Sequence, residues 1–110
     1  MRLLQIILVI MFVAIIGYTA KTIHLEGWNL LPVFFGDMVK FGWPGQFNFD
    51  FLLMLVLSAL WTTWRYKFSA KGFIMGALAL FGGILFQSAH LLYLTTREPS
   101  IKAVLLGDRE

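Results

Sequence analysis

A chain of 110 residues with 59% hydrophobic and 14% charged side chains departs from soluble composition, where about 45–50% apolar and about 25% charged is usual. Such a composition excludes a disordered tail, and the lack of cysteine excludes a disulfide framework, a thiolate metal site and thiol chemistry. The net charge of +3, set beside so much apolar sequence, points to lipid headgroups rather than nucleic acid.

A bilayer core about 30 Å thick calls for about 20 mostly apolar residues per helix. Leu3 to Ala20 is interrupted only by Gln5, Gly17, Tyr18 and Thr19. Phe49 to Trp64 has Asp50 at its edge, with Ser58, Thr62 and Thr63 inside. Gly72 to Thr95 is the longest, and Gln87 and His90 are its only strongly polar members. None alternates with a period of two, so helices are the way to satisfy the backbone in lipid. The expected fold is an all-α membrane protein, a single domain with three transmembrane helices over about 3–20, 49–64 and 72–95. An outer loop (21–48), an inner turn (65–71) and a C-terminal tail (96–110) complete it. The first stretch reads as an anchor rather than a cleaved signal peptide. Its apolar run exceeds the usual 7–15 residues, and Tyr18-Thr19-Ala20 lacks a small-x-small cleavage pattern.

Three crossings would put the N-terminus and the inner turn on one side, with Arg2, Arg65, Lys67 and Lys71 and no acid. The outer loop and tail would share the other side, with Lys21, Lys40, Arg97, Lys102 and Arg109 among Glu26, Asp37, Asp50, Glu98, Asp108 and Glu110. Four bases against five do not decide the direction, but the density of the short turn does. The expectation is a cytoplasmic N-terminus and a periplasmic C-terminus.

The inner turn is short enough to make spans two and three an antiparallel hairpin, with Ser69 as the N-cap of span three. The outer loop is too apolar for a solvated loop and too short to cross. It predicts an interfacial or re-entrant helix starting near Pro32 and ending before Gly42-Trp43-Pro44-Gly45. Trp28, Phe34, Phe35 and Trp43 would make this helix either a lid on the bundle or a docking surface for another membrane subunit.

In span three, Gly72, Gly76, Ala79 and Gly83 are spaced four, three and four residues apart, a small-residue face for close helix packing. The stripe continues to Phe86, Gln87 and His90. An ionisable residue inside a span is a functional candidate because burying it is costly. His90 would lie about 7 Å below the outer end of its helix. There it could converge with Gln87, with His24 beyond span one, and with Asp50 at the start of span two. This layer is either a ligand site for haem, a pigment, a quinone or a metal, or an ordinary set of caps and interhelical bonds. The spacing fits no metal motif, and no nucleophile–base pair, phosphate loop or paired carboxylate stands out, so neither metal site nor enzyme is expected.

The runs Gly27-Trp28-Asn29-Leu30, Phe34-Phe35-Gly36-Asp37 and Gly45 to Phe51 resemble a family of short bacterial inner-membrane proteins without an assigned activity. So do Ser58-Ala59-Leu60-Trp61 with Trp64-Arg65, Gly82-Gly83, Leu91 to Leu94 and Leu105-Leu106-Gly107. The resemblance implies the bacterial inner membrane and supplies no catalytic residue. The expected role is a small accessory subunit of a larger membrane complex, with respiratory and photosynthetic types among the candidates. It would work through its helix faces and outer loop, with lipids and other subunits or a second copy as partners. The alternative is a cofactor-binding protein that uses His90.

Overall fold

The computed structural model describes residues 1–107 and is helical throughout, without a strand among the described residues. Five helices follow in order: α1 (Arg2–Glu26), α2 (Leu30–Val39), α3 (Trp43–Arg65), α4 (Ala70–Arg97) and α5 (Ile101–Leu106). By length and composition alone, α1, α3 and α4 are each long and apolar enough to cross a membrane. The distribution of residues confirms lipid as the solvent. Among the described residues the buried hydrophobic ones are only Leu8, Ala79, Leu94, Ala103 and Val104, while the buried polar ones are Thr62, Thr63, Arg65, Gln87, Ser88, His90 and Thr95. Leu, Ile, Val and Phe cover the outside of every long helix. In water this arrangement would forfeit most of the hydrophobic stabilisation, whereas in hydrocarbon the apolar surface is already solvated and polar groups gain by turning inward. The protein is a multi-pass helical membrane protein.

α4 is not a straight rod. Gly83 has φ 55° and ψ −139°, outside helical space and in a region that belongs to glycine. The chain reverses there. A straight helix would carry His90 about 27 Å along the axis from Gly72. Yet a Cβ on Gly72 would lie 2.9 Å from Tyr66 Cβ, while His90 Nε2 lies 2.8 Å from the hydroxyl of the same tyrosine. Both halves therefore run along α3. The outgoing half passes Thr63 and Ala59 at Gly76 and reaches Phe51 and Leu55 at Gly83. The returning half passes Ser58 and Thr62 at Gln87, Tyr66 at His90 and Arg65 at Glu98. Each half is about 20 Å long, short of a hydrocarbon core of about 30 Å, so α4 enters and leaves by the same end.

Three expectations are corrected by this reversal. The stretch 72–95 does not make a single pass, because hydropathy reports solvent and not direction. The stripe from Gly72 to Gly83 does not continue to His90 on one face. The tail does not lie opposite the inner turn. Arg65 Nε donates to the Val104 carbonyl of α5, and its Nη2 to Glu98 Oε1 at 3.3 Å, so tail and turn share one end. Gln5 Nε2 donates to Thr95 Oγ1 at 3.0 Å and brings the start of α1 to this end as well. We call it the turn end, and the opposite one, with residues 21–48, the loop end. Arg109, Asp108 and Glu110, assigned to the outer side from sequence, lie outside the described residues.

Helix boundaries follow local signals. Ser69 caps α4, its Oγ accepting from Gly72 N at 3.1 Å, and Ser100 caps α5 in the same way through Ala103 N. α3 begins at Trp43 with Pro44 in its first turn, six residues before the expected start. Asp50 therefore lies inside α3 rather than at its cap. α1 extends to Glu26 and includes His24. The loop helix exists as expected, but starts at Leu30 with Pro32 in its first turn. It packs on the start of α3, where Gly45 allows the backbone at Asp37 and Met38 to approach closer than any side chain would.

Candidate functional site

The small-residue face of α4 meets α3. A Cβ on Gly76 would collide with Thr63 Oγ1 and stand 3.2 Å from the Ala59 carbonyl, and Ala79 is fully buried. Gly72 lets Tyr66 and the Thr63 carbonyl close in. With bulk removed here, the polar groups of α3 come within bonding range of the returning half of α4.

Those groups form one continuous network. Thr62 Oγ1 donates to the Ser58 carbonyl at 2.8 Å, so its oxygen is left to accept. Gln87 Nε2 donates to it at 2.6 Å and to Ser58 Oγ at 2.8 Å. This fixes the amide, and Gln87 Oε1 faces His90 Nδ1 at 3.1 Å. An amide oxygen only accepts, so Nδ1 carries the hydrogen. Nε2 is then an acceptor, and the Tyr66 hydroxyl donates to it at 2.8 Å. For a neutral imidazole the network thus selects the Nδ1–H tautomer. Aromatic rings enclose it: Phe86 stacks on His90 with centroids 5.1 Å apart, and Trp61 and Tyr66 lie at 6.2 and 5.8 Å. Burial pushes the Tyr66 phenol above its ordinary value, outweighing the opposing effect of Arg65.

Beside the network, Arg65 closes the turn end. It is 5% exposed and donates to the carbonyls of Val104 and Ala103 and to Glu98. The carbonyls near the end of α5 carry the negative end of its dipole, so a guanidinium there is favourably placed. Every buried side-chain nitrogen and oxygen among the described residues has a partner.

The structure brings together only two of the four residues expected to form a layer. Gln87 and His90 are joined, but at the turn end rather than the outer end. Asp50 lies about 24 Å along α3 from Tyr66, and His24 about 28 Å along α1 from Gln5; both belong to the loop end. Among the described residues no group of three His, Cys, Asp or Glu is placed to hold a metal. Trp28 and Trp43 of the expected docking set are 84% and 74% exposed. Phe35 is half exposed and meets Phe34 edge-on at 5.2 Å, while the Phe34 carbonyl accepts from Asn48 Nδ2 at 3.1 Å. Sequence reasoning missed Ser58, Thr62, Tyr66, Arg65, Glu98, Thr95 and Gln5 as network members. A serine or threonine inside a span, spaced one turn from another, was the available signal for Ser58 and Thr62.

Comparison of the chain with protein-family models, curated proteins and solved structures gives no match.

Proposed function

We propose that the protein is a small accessory subunit of a larger assembly in the bacterial inner membrane, associating through α1 and the loop end. One observation carries this reading. The face of α1 turned inward runs through Leu4, Gln5, Leu8, Phe12 and Ile15, after which the helix is almost wholly exposed to Glu26. Where it parts from α2, a cavity of about 540 Å³ opens, lined by Tyr18, Thr22, Ile23, Trp28, Leu30 and others. Its walls are largely apolar, with Thr19, Thr22 and Asn29 among them, a lining that an apolar side chain of a partner helix would fill. The polar interior supports a structural role because its members satisfy one another. A haem or metal ligand at His90 would require a nitrogen already bonded to Tyr66 or Gln87, and a quinone would have to displace the same partners.

A photo-crosslinking residue placed at Ile16, Tyr18 or Trp28 in native membranes should yield one discrete protein adduct of fixed mass. Adducts with lipid or with a second copy alone would overturn the reading. The cofactor alternative predicts an absorbance band in the purified protein that disappears in His90→Ala.

The direction of insertion belongs to the same proposal. With the tail returned to the turn end, that end holds Arg2, Arg65, Lys67, Lys71, Arg97 and Lys102 among the described residues. The loop end holds only Lys21 and Lys40. The positive-inside rule, which gave a near-tie for three passes, now favours a cytoplasmic turn end by six to two. Alkaline phosphatase fused after Lys67 or after Gly107 should be inactive, and fused after Lys40 active. Activity after Gly107 as well as after Lys40, with none after Lys67, would restore the three-pass arrangement.

A further inference from the structure

A second concave feature lies outside the His90 network. At the turn end a cavity of about 350 Å³ opens between the α3–α4 turn and the tail, lined by Arg65, Tyr66, Lys67, Ser69, Lys71 and Glu98 among others. Three of these side chains are cationic and one is acidic. Arg65 and Glu98 are committed to each other at 3.3 Å and form one wall. The remaining charge is uncompensated among the described residues. Lys67 has no ion-pair partner among the described residues, and Lys71 Nζ rests over the Tyr66 ring, 5.2 Å from its centroid, with its hydrogens free to donate. Ser69 Oγ accepts from Gly72 N, so its own hydrogen is also available. Lys67 and Phe68 both have left-handed backbones, φ 58° and 55°, in a tight turn fixed by Lys67 N to the Trp64 carbonyl and Phe68 N to the Thr63 carbonyl, each at 2.9 Å.

Next to this cationic hollow is an apolar ledge. Phe68 and Phe73 pair with centroids 6.3 Å apart, and both rings are more than half exposed. The hollow lies where the helices end, and the exposed ledge adjoins it in the turn and the first turn of α4. We propose that it binds the headgroup of an anionic phospholipid, its phosphate held by Lys67, Lys71 and the Ser69 hydroxyl and its acyl chains laid against Phe68 and Phe73. Basic pockets among membrane helices recognise anionic headgroups by this combination of charge and boundary position, and a free phosphate would make no use of the ledge. The inference requires only that the chain lies in a bilayer, and stands apart from the accessory-subunit reading.

The test is retention of lipid by the purified protein taken from vesicles of equal phosphatidylglycerol and phosphatidylcholine, read by native mass spectrometry. Phosphatidylglycerol should be retained preferentially. K67Q/K71Q should lose that preference by about tenfold or more, with helix content and unfolding midpoint unchanged because both lysines are exposed. K21Q/K40Q at the loop end should retain it. Equal retention of both lipids, undiminished preference in K67Q/K71Q, or displacement of the lipid by millimolar inorganic phosphate would each overturn the assignment.

Discussion

At the turn end, Arg65 binds two carbonyls of α5 and Glu98, the Gln87–His90–Tyr66 chain ties α4 to α3, and Gln5 ties α1 to Thr95. At the loop end, one side-chain hydrogen bond from Asn48 and the close approach at Gly45 hold α2, and α1 runs free beyond Ile15. Both ends are built from the same apolar composition, yet only one is bound by polar groups facing inward. Hydrocarbon offers no drive to collapse apolar faces, so rigidity in this chain follows the hydrogen bonds and the small-residue contacts. The turn end is therefore the structural anchor, and the loop end is the part that the proposed association would use.

The sharpest way to break this contrast is at Arg65. Arg65→Ala would leave the Val104 carbonyl and a part-buried carboxylate without their donor and take the longer of two donors from the Ala103 carbonyl, which keeps Gly107 N, at a cost of about 2–4 kcal/mol once the partial exposure of Glu98 is allowed for. Lys21→Ala at the loop end should change stability by less than about 0.5 kcal/mol. Reversible unfolding in mixed micelles measures both, and equal effects would remove the distinction between the ends.

Glycine substitutions come next, and they separate two mechanisms that the sequence merges. Gly83→Ala should cost about 1–3 kcal/mol through its backbone alone, since φ 55° and ψ −139° disfavour any side chain. Phe51 and Leu55, at 3.4 and 3.5 Å from the added Cβ, leave room for it. Gly76→Ala has ordinary helical geometry and should cost about 1–3 kcal/mol through overpacking against Thr63. Thr63→Ala should rescue Gly76→Ala and leave Gly83→Ala unchanged. Gly17→Ala in the free half of α1, with nothing within 4 Å, should be silent or slightly stabilising. Rescue of both variants by Thr63→Ala would mean that Gly83 acts by packing and not by its conformation.

This pair also shows what the sequence made legible. Hydropathy located the apolar stretches, and the small-residue spacing located a real seam, because both depend on composition along one helix. Ser69 announced its cap through chemistry that is local. The reversal at Gly83 was hidden, because a Gly-Gly pair in an apolar run reads equally as packing surface and as a break. Everything that depended on the reversal was lost with it: the level of His90, its partner Tyr66 on another helix, and the side on which the tail lies. Pro99 and Ser100 before Ile101 were a readable start signal for α5, but the partner that holds this helix, Arg65, is 36 positions away from Ile101 and left no mark of its own.

His90→Ala is the next test down. It removes an acceptor from Tyr66 across the α3–α4 contact and, within α4, a donor from Gln87, and hydrogen bonds in membrane helix packing are worth about 0.6 kcal/mol, rarely beyond about 1.7. The expected loss is therefore about 1–2 kcal/mol for the two bonds together, with Tyr66→Phe giving the smaller share. The double variant should fall short of the sum of the singles, because each single already breaks the bond they share. Full additivity in a double-mutant cycle would mean that the two residues do not act on one another.

The smallest effect is expected at the loop end, and it distinguishes a tethered helix from a fused one. Asn48→Ala removes a side-chain hydrogen bond that joins α3 to α2, worth about 0.5–1.5 kcal/mol. The Phe34 carbonyl already lies within a helix, and part of the lost bond is made up by water or headgroups at the boundary, so global unfolding should shift by less than about 0.5 kcal/mol. The consequence should be local. Hydrogen exchange of residues 30–39 should accelerate severalfold, while α4 amides around Gln87 and His90 keep their protection, because the turn end is stabilised independently. If Asn48→Ala instead lowered protection across α4, the two ends would form one cooperative unit. The freedom assigned to the loop end, on which its availability to a partner rests, would then be lost.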